Sequence, residues 1–82
     1  MHTRIMGIKL TDRMQAAVRV QQLLTEYGCL IKTRLGMHVA DGSCNESGLI
    51  IIELTDDADN WEELNGKLSE LSGVQVKTML FE

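Results

Sequence analysis

The chain has 82 residues, enough for one small domain and too few for two. A chain of this size buries roughly 63% of the surface it exposes when unfolded, so its core is thin and association with another molecule is an expected source of stability. Eight Lys and Arg against twelve Asp and Glu leave a net charge of -4, which excludes a protein that holds nucleic acid by neutralising phosphates over its whole surface.

The first residues, Met1-His2-Thr3-Arg4, lead into a short apolar stretch interrupted by Gly7 and Lys9, which is neither a signal-peptide pattern nor a membrane span. The expected location is therefore cytoplasmic, with no membrane partner, and in a reducing compartment Cys29 and Cys44 are expected as free thiols. Thr3 to Leu10 alternates, with Met6, Ile8 and Leu10 on one face and Ile5, Gly7 and Lys9 on the other, which predicts a strand. Thr11 or Asp12 can cap the helix that follows, whose stripe of Ala16, Ala17, Val20, Leu23, Leu24 and Tyr27 opposes Gln15, Arg19, Gln22 and Glu26. Gly28 stops it.

From Cys29 to Val39 the period returns to two, with Ile31, Leu35 and Met37 opposite Lys32, Arg34, Gly36 and His38. Residues 40–47 form a polar turn, and Gly48 to Leu54 is apolar on both faces, as expected for an interior strand. The acids Asp56, Asp57 and Asp59 suit a helix start, where Asp59 and Glu62 have the spacing of a capping box. Trp61, Leu64, Leu68 and Leu71 are the stripe of this second helix, Gly73 closes it, and Val74 to Phe81 alternates as a last strand. The order βαββαβ predicts an α+β, ferredoxin-like sandwich: a four-stranded antiparallel sheet with both helices on one face and strands one and three in the centre.

That architecture assigns Met6, Ile8, Leu10, Ile31, Leu35, Ile50, Ile52, Leu54, Val74, Val76 and Leu80 to the helix side. It leaves Ile5, Gly7, Leu49, Ile51, Met79 and Phe81 on an open side, rimmed by Lys9, Lys32, Arg34, His38 and Lys77, with Glu53 as the only acid on its strands. A contiguous apolar patch of this kind marks a contact with a second copy, and its basic rim suits an anionic small ligand. Single-stranded RNA on such a sheet requires stacked aromatics, and Phe81 is the only one on a strand.

His38 and Cys44 are the best-placed metal ligands, but two ligands do not close a site without His2, Cys29 or a neighbouring subunit. No CxxC, HExxH or GxxxxGK[ST] occurs, and two histidines give no general acid–base set, so an enzyme is not expected and no cofactor is indicated. Gly66 lies opposite the second helix's stripe, in an interior position where Gly costs about 1 kcal/mol relative to Ala. Either it is tolerated there, or another backbone or a ligand approaches.

The segment from Leu64 to Thr78, LNGKLSELSGVQVKT, closely resembles the closing helix and strand of the small proteins proposed as iron-only hydrogenase system regulators, and Arg34-Leu35-Gly36-Met37 is similar to that family's turn into its hairpin. The resemblance implies a stand-alone ACT-like regulatory domain over residues 1–82, similar in fold to the C-terminal domain of nickel-responsive repressors. Such domains associate through sheets or edges and hold small effectors or metals at the junctions. The loop Leu10-Thr11-Asp12-Arg13 lacks the Gly that amino-acid-binding ACT domains commonly carry, and the chain lacks the several histidines of the nickel repressors. No helix–turn–helix or basic arm is present, so direct nucleic-acid contact is not expected.

The expected function is thus a regulatory protein that forms a homodimer or homotetramer and binds a small-molecule effector. Lys32, Arg34, Gly36, Gly66 and Lys77 are the ligand or interface candidates. The alternatives are a metal-responsive module using His38 and Cys44 across subunits, and a structural partner in hydrogenase maturation.

Overall fold

A computed structural model of the chain describes residues 2–11, 13–37, 48–55 and 60–82. Its elements run β1 (Thr3–Leu10), α1 (Arg13–Glu26), β2 (Ile31–Met37), β3 (Gly48–Leu54), α2 (Trp61–Ser69) and β4 (Val74–Phe81), with a 3-10 turn at Gly28–Leu30 between α1 and β2. The strands form one antiparallel sheet in the order β2-β3-β1-β4, which places β1 and β3 in the centre as the sequence predicts.

The alternation of β1 and β3 decides the layering. Met6, Ile8 and Leu10 pair across the ladder with Ile52, Ile50 and Gly48, and the apolar members of these pairs are buried. They form one core with Ala16, Val20, Leu23 and Leu24 of α1 and Leu64 and Leu68 of α2, so both helices cover the same side of the sheet. Burying a Leu, Ile, Val or Met side chain contributes roughly 1.5–3 kcal/mol each. The edge strands add only half-buried Ile31, Val74 and Val76 to this core.

Two backbone ties close the ends of the sheet. The Thr11 amide donates to the Gly73 carbonyl at 2.7 Å and the Thr11 hydroxyl donates to the same oxygen at 3.0 Å, joining the end of β1 to the turn before β4. The Thr55 amide donates to the Leu30 carbonyl at 2.8 Å, joining the end of β3 to the start of β2. The first helix residue of α2 is Trp61 and its N-cap is Asn60, whose carbonyl accepts from the amides of Glu63 and Leu64. The expected caps Asp12 and Asp59 lie outside the described residues.

Strand β2 departs from simple alternation. Ile31 pairs with Leu54 and Thr33 with Glu53, so one residue is inserted at Lys32, and beyond it Arg34 pairs with Ile52 and Leu35 with Ile51. A bulge opposes two residues to one and shifts the face of everything that follows. Arg34, expected on the open side, therefore lies on the helix side, where its guanidinium donates to the Gln21 side-chain oxygen of α1. Leu35, expected on the helix side, lies on the open side. Gly36 pairs with Ile50 and moves with Arg34.

Candidate functional site

The bulge enlarges the apolar area of the open face. Ile5, Leu49 and Ile51 of the central strands are half-buried there with no helix over them. Around them Leu35 is 54%, Met79 57% and Phe81 56% exposed. Met79 and Phe81 belong to this face because they pair with Ile5 and Thr3. Paired residues of an antiparallel ladder share a face, so these side chains form one continuous surface across four strands.

The two ends of the face differ in charge. At one end the Glu53 carboxylate accepts from the Thr33 hydroxyl at 3.3 Å and meets the Lys32 ammonium at 3.9 Å, so both residues of the bulge converge on one acid. At the other end Gly7, Lys9, Leu49, Gln75 and Lys77 line a depression of about 280 Å³. Lys9 pairs with Leu49 on one side and Gln75 on the other, and Lys77 pairs with Gly7. A larger hollow of about 660 Å³ lies along α1, lined by Ala17, Val18, Gln21, Gln22, Thr25 and Glu26. It is wide open and brings no cationic groups together.

The helix layer carries further side-chain links. The Tyr27 hydroxyl donates to Glu63 Oε1 at 2.7 Å, and Lys67 Nζ lies 3.6 Å from the same oxygen and 5.2 Å from the Tyr27 ring centroid. The Tyr27 hydrogen bond holds the Glu63 carboxyl below its ordinary range, with partial desolvation opposing and Lys67 assisting. Lys67 is held above its ordinary value by Tyr27 first and by the neighbouring carboxylates of Glu26 and Glu63, again against partial desolvation. At the start of α2 the Arg4 guanidinium stacks 3.8 Å from the Trp61 ring centroid.

The residues expected from sequence as site candidates do not gather at one place. Lys32 and Lys77 share the open face but stand on opposite edges, and only Lys77 lines the depression. Arg34 and Gly36 are on the other side of the sheet, and Gly66 is on the exposed side of α2 with nothing within 4 Å of where a Cβ would be. His38 and Cys44 lie outside the described residues, among which no group of three His, Cys, Asp or Glu is placed to hold a metal. Cys29 is an exposed free thiol.

Of the other residues that line the depression, the sequence placed Gly7 and Lys9 on the open face without counting them among the candidates, and it did not single out Gln75. The signal was the pattern Gly7-x-Lys9 beside Gln75-x-Lys77, two strands whose same-face residues are glycine or polar where their neighbours are apolar.

Comparison with known proteins gives a family. The model of the TM1266-like family, described as "Iron-only hydrogenase system regulator, putative", matches residues 2–78. The solved structure of TM1266 from Thermotoga maritima is 31% identical, with all of each chain covered and a TM-score of 0.84. The ACT domain of GTP pyrophosphokinase from Chlorobium tepidum is 15% identical, with 94% of this chain and 84% of that chain covered and a TM-score of 0.67. The ligand-free regulatory subunit of aspartate kinase from Thermus thermophilus is 20% identical, with 98% of this chain and 50% of that chain covered and a TM-score of 0.58. These last two are likenesses of fold and establish the sheet and helices as a ferredoxin-like, ACT-type arrangement. No curated protein matches the sequence. Among the described residues no helix is long and apolar enough to cross a membrane. With the family match spanning nearly every residue and the likeness to TM1266 running from end to end, the chain belongs to the TM1266-like family.

Proposed function

We propose that this chain is a cytoplasmic regulatory protein of the iron-only hydrogenase system, not an enzyme, that works as a homo-oligomer joined through the open face of its sheet and binds a small effector at the subunit interface. One observation carries the reading: a face with Leu35, Met79 and Phe81 more than half exposed around half-buried Ile5, Leu49 and Ile51. Four strands about 4.8 Å apart and about eight residues long at about 3.3 Å each give a surface of roughly 19 by 26 Å. That is the same order as the roughly 800 Å² each partner buries in a standard interface. The apolar centre of such a face is of the size that, on small proteins, is often a site of interaction.

The test is native mass spectrometry with sedimentation velocity on the wild type and on a Met79→Glu, Phe81→Glu double variant. The wild type is expected as a dimer or tetramer and the double variant as a folded monomer. Val18→Glu, at an equally exposed position on α1, should leave the subunit number alone. A monomeric wild type overturns the reading, and dissociation by Val18→Glu alone moves the interface to the helices.

A further inference from the structure

We propose that the open face carries a binding site for a compact dianion, a dicarboxylate or a phosphate, held between the ammonium groups of Lys9 and Lys77 over the bare backbone of Gly7. The inference rests on the reading of the chain as an effector-responsive regulator and names the chemistry of its effector.

The four lysines of the chain divide evenly. Lys32 pairs with Glu53 and Lys67 with Glu63. Lys9 and Lys77 make no ion pair among the described residues, and they line the same depression. In the ladder Lys9 pairs with Gln75, and Lys77 lies two residues further along β4 on the same face, a diagonal that long side chains bridge. Two like charges so placed repel each other, and an anion between them reverses the sign of that interaction. No carboxylate lines the depression, the Gln75 amide offers a further donor, and Leu49 gives it an apolar wall. Glu53 is at the other end of β3 and is already engaged by Lys32 and Thr33.

Gly7 is the second, independent observation. It stands in a central strand, where glycine weakens packing. The backbone does not require it, because Gly73 is the only described glycine with positive φ. Nor does crowding, because a Cβ there would sit 3.8 Å from Ile51 Cδ1 and 3.9 Å from the Lys77 carbonyl, ordinary contact distances. What a side chain at this position would do is project between Lys9 and Lys77 and fill the floor. A glycine in a strand that neither turns nor is crowded marks the close approach of a ligand or another backbone. Two ammoniums match two negative charges, and a volume of about 280 Å³, just under the range of drug-sized pockets, suits a small ligand. Lysine acts as a point charge without the planar fork of arginine, so carboxylate and phosphate oxygens suit it equally.

The test is isothermal titration of the full chain with potassium phosphate, with potassium malonate and with potassium chloride at matched ionic strength, beside sedimentation velocity on the same samples. One of the two dianions should saturate, and the tighter one identifies the ligand as phosphate-like or dicarboxylate-like, while chloride gives no saturable heat. Lys9→Gln and Lys77→Gln should each weaken binding about tenfold or more, the loss of one charge-assisted contact, and Lys32→Gln should not. Gly7→Val should abolish binding with an unchanged or higher thermal midpoint, since a β-branched residue suits a central strand. No saturable heat from either dianion, equal weakening by Lys32→Gln, or full binding by a folded Gly7→Val overturns the site. A monomer that binds dianion supports the site and overturns the oligomer, whereas an oligomer unresponsive to both overturns the site alone.

Discussion

Gly73 has a φ of 78°, in the left-handed region where a Cβ is crowded against the following carbonyl. Its carbonyl also accepts both Thr11 hydrogen bonds, so a shift of this residue loosens the end of β1 as well as the turn into β4. Gly73→Ala is expected to lower stability by about 1–2 kcal/mol. Gly66 is the opposite case. It sits exposed inside α2 with nothing within 4 Å of a Cβ, so Gly66→Ala should raise stability by about 0.5–1 kcal/mol. For a domain of this size each kcal/mol moves the thermal midpoint by about 4–8 °C, and melting curves resolve both changes. The same Gly66→Ala variant should keep the wild-type subunit number, since α2 is on the side of the sheet away from the open face. A change in sedimentation would bring back the approach of a second backbone at Gly66.

The contact between the two helices is polar at its rim, and its pH dependence follows from Tyr27, Glu63 and Lys67. Glu63 has a folded value below its ordinary one, so its contribution is complete above the ordinary carboxylate range and is lost as pH falls through the lowered folded value. Lys67 has a folded value above its ordinary one, so its contribution is complete below the ordinary lysine value and is lost as pH rises through the raised one. Tyr27→Phe removes the hydroxyl that is the first cause of both shifts, so the midpoints of wild type and variant should differ most across neutral pH, and the gap should narrow in acid as the Glu63 part is lost while the Lys67 part stays. A gap that does not narrow as pH falls through the acid range would remove this account. At the level of elements the sequence was informative where one chain segment carries its own evidence. The alternations of β1, β3 and β4 and the stripes of both helices each reflect burial against a single core, and their faces were readable residue by residue. Strand β2 was not, because the insertion at Lys32 is a relation between β2 and Glu53, distant in sequence, and it moved Arg34 and Leu35 to opposite sides of the sheet. The depression was hidden for a related reason. Gly7 and Lys77 become neighbours only through the pairing of the first strand with the last.

At the scale of the whole molecule, the open face combines two kinds of interaction that respond differently to salt. Its centre is apolar, and burial of apolar surface does not weaken as ionic strength rises. Its ends are charged, with Lys9 and Lys77 at one and Glu53 with Lys32 at the other. In an association of identical faces about a two-fold axis the apolar centre meets its own copy, and complementarity of charge is not required for closure. Raising sodium chloride from about 0.1 M to about 1 M shortens the Debye length from about 10 Å to about 3 Å and screens exposed charges. The subunit number measured by sedimentation velocity should therefore stay constant or rise over that range, while dianion binding between the two lysines weakens progressively. Dissociation at high salt would show that the copies are held by charge rather than by Leu35, Met79 and Phe81, and would place the interface at the ends of the face or off it. Affinity for phosphate or malonate that does not change with salt would mean that the ammonium groups of Lys9 and Lys77 do not supply it.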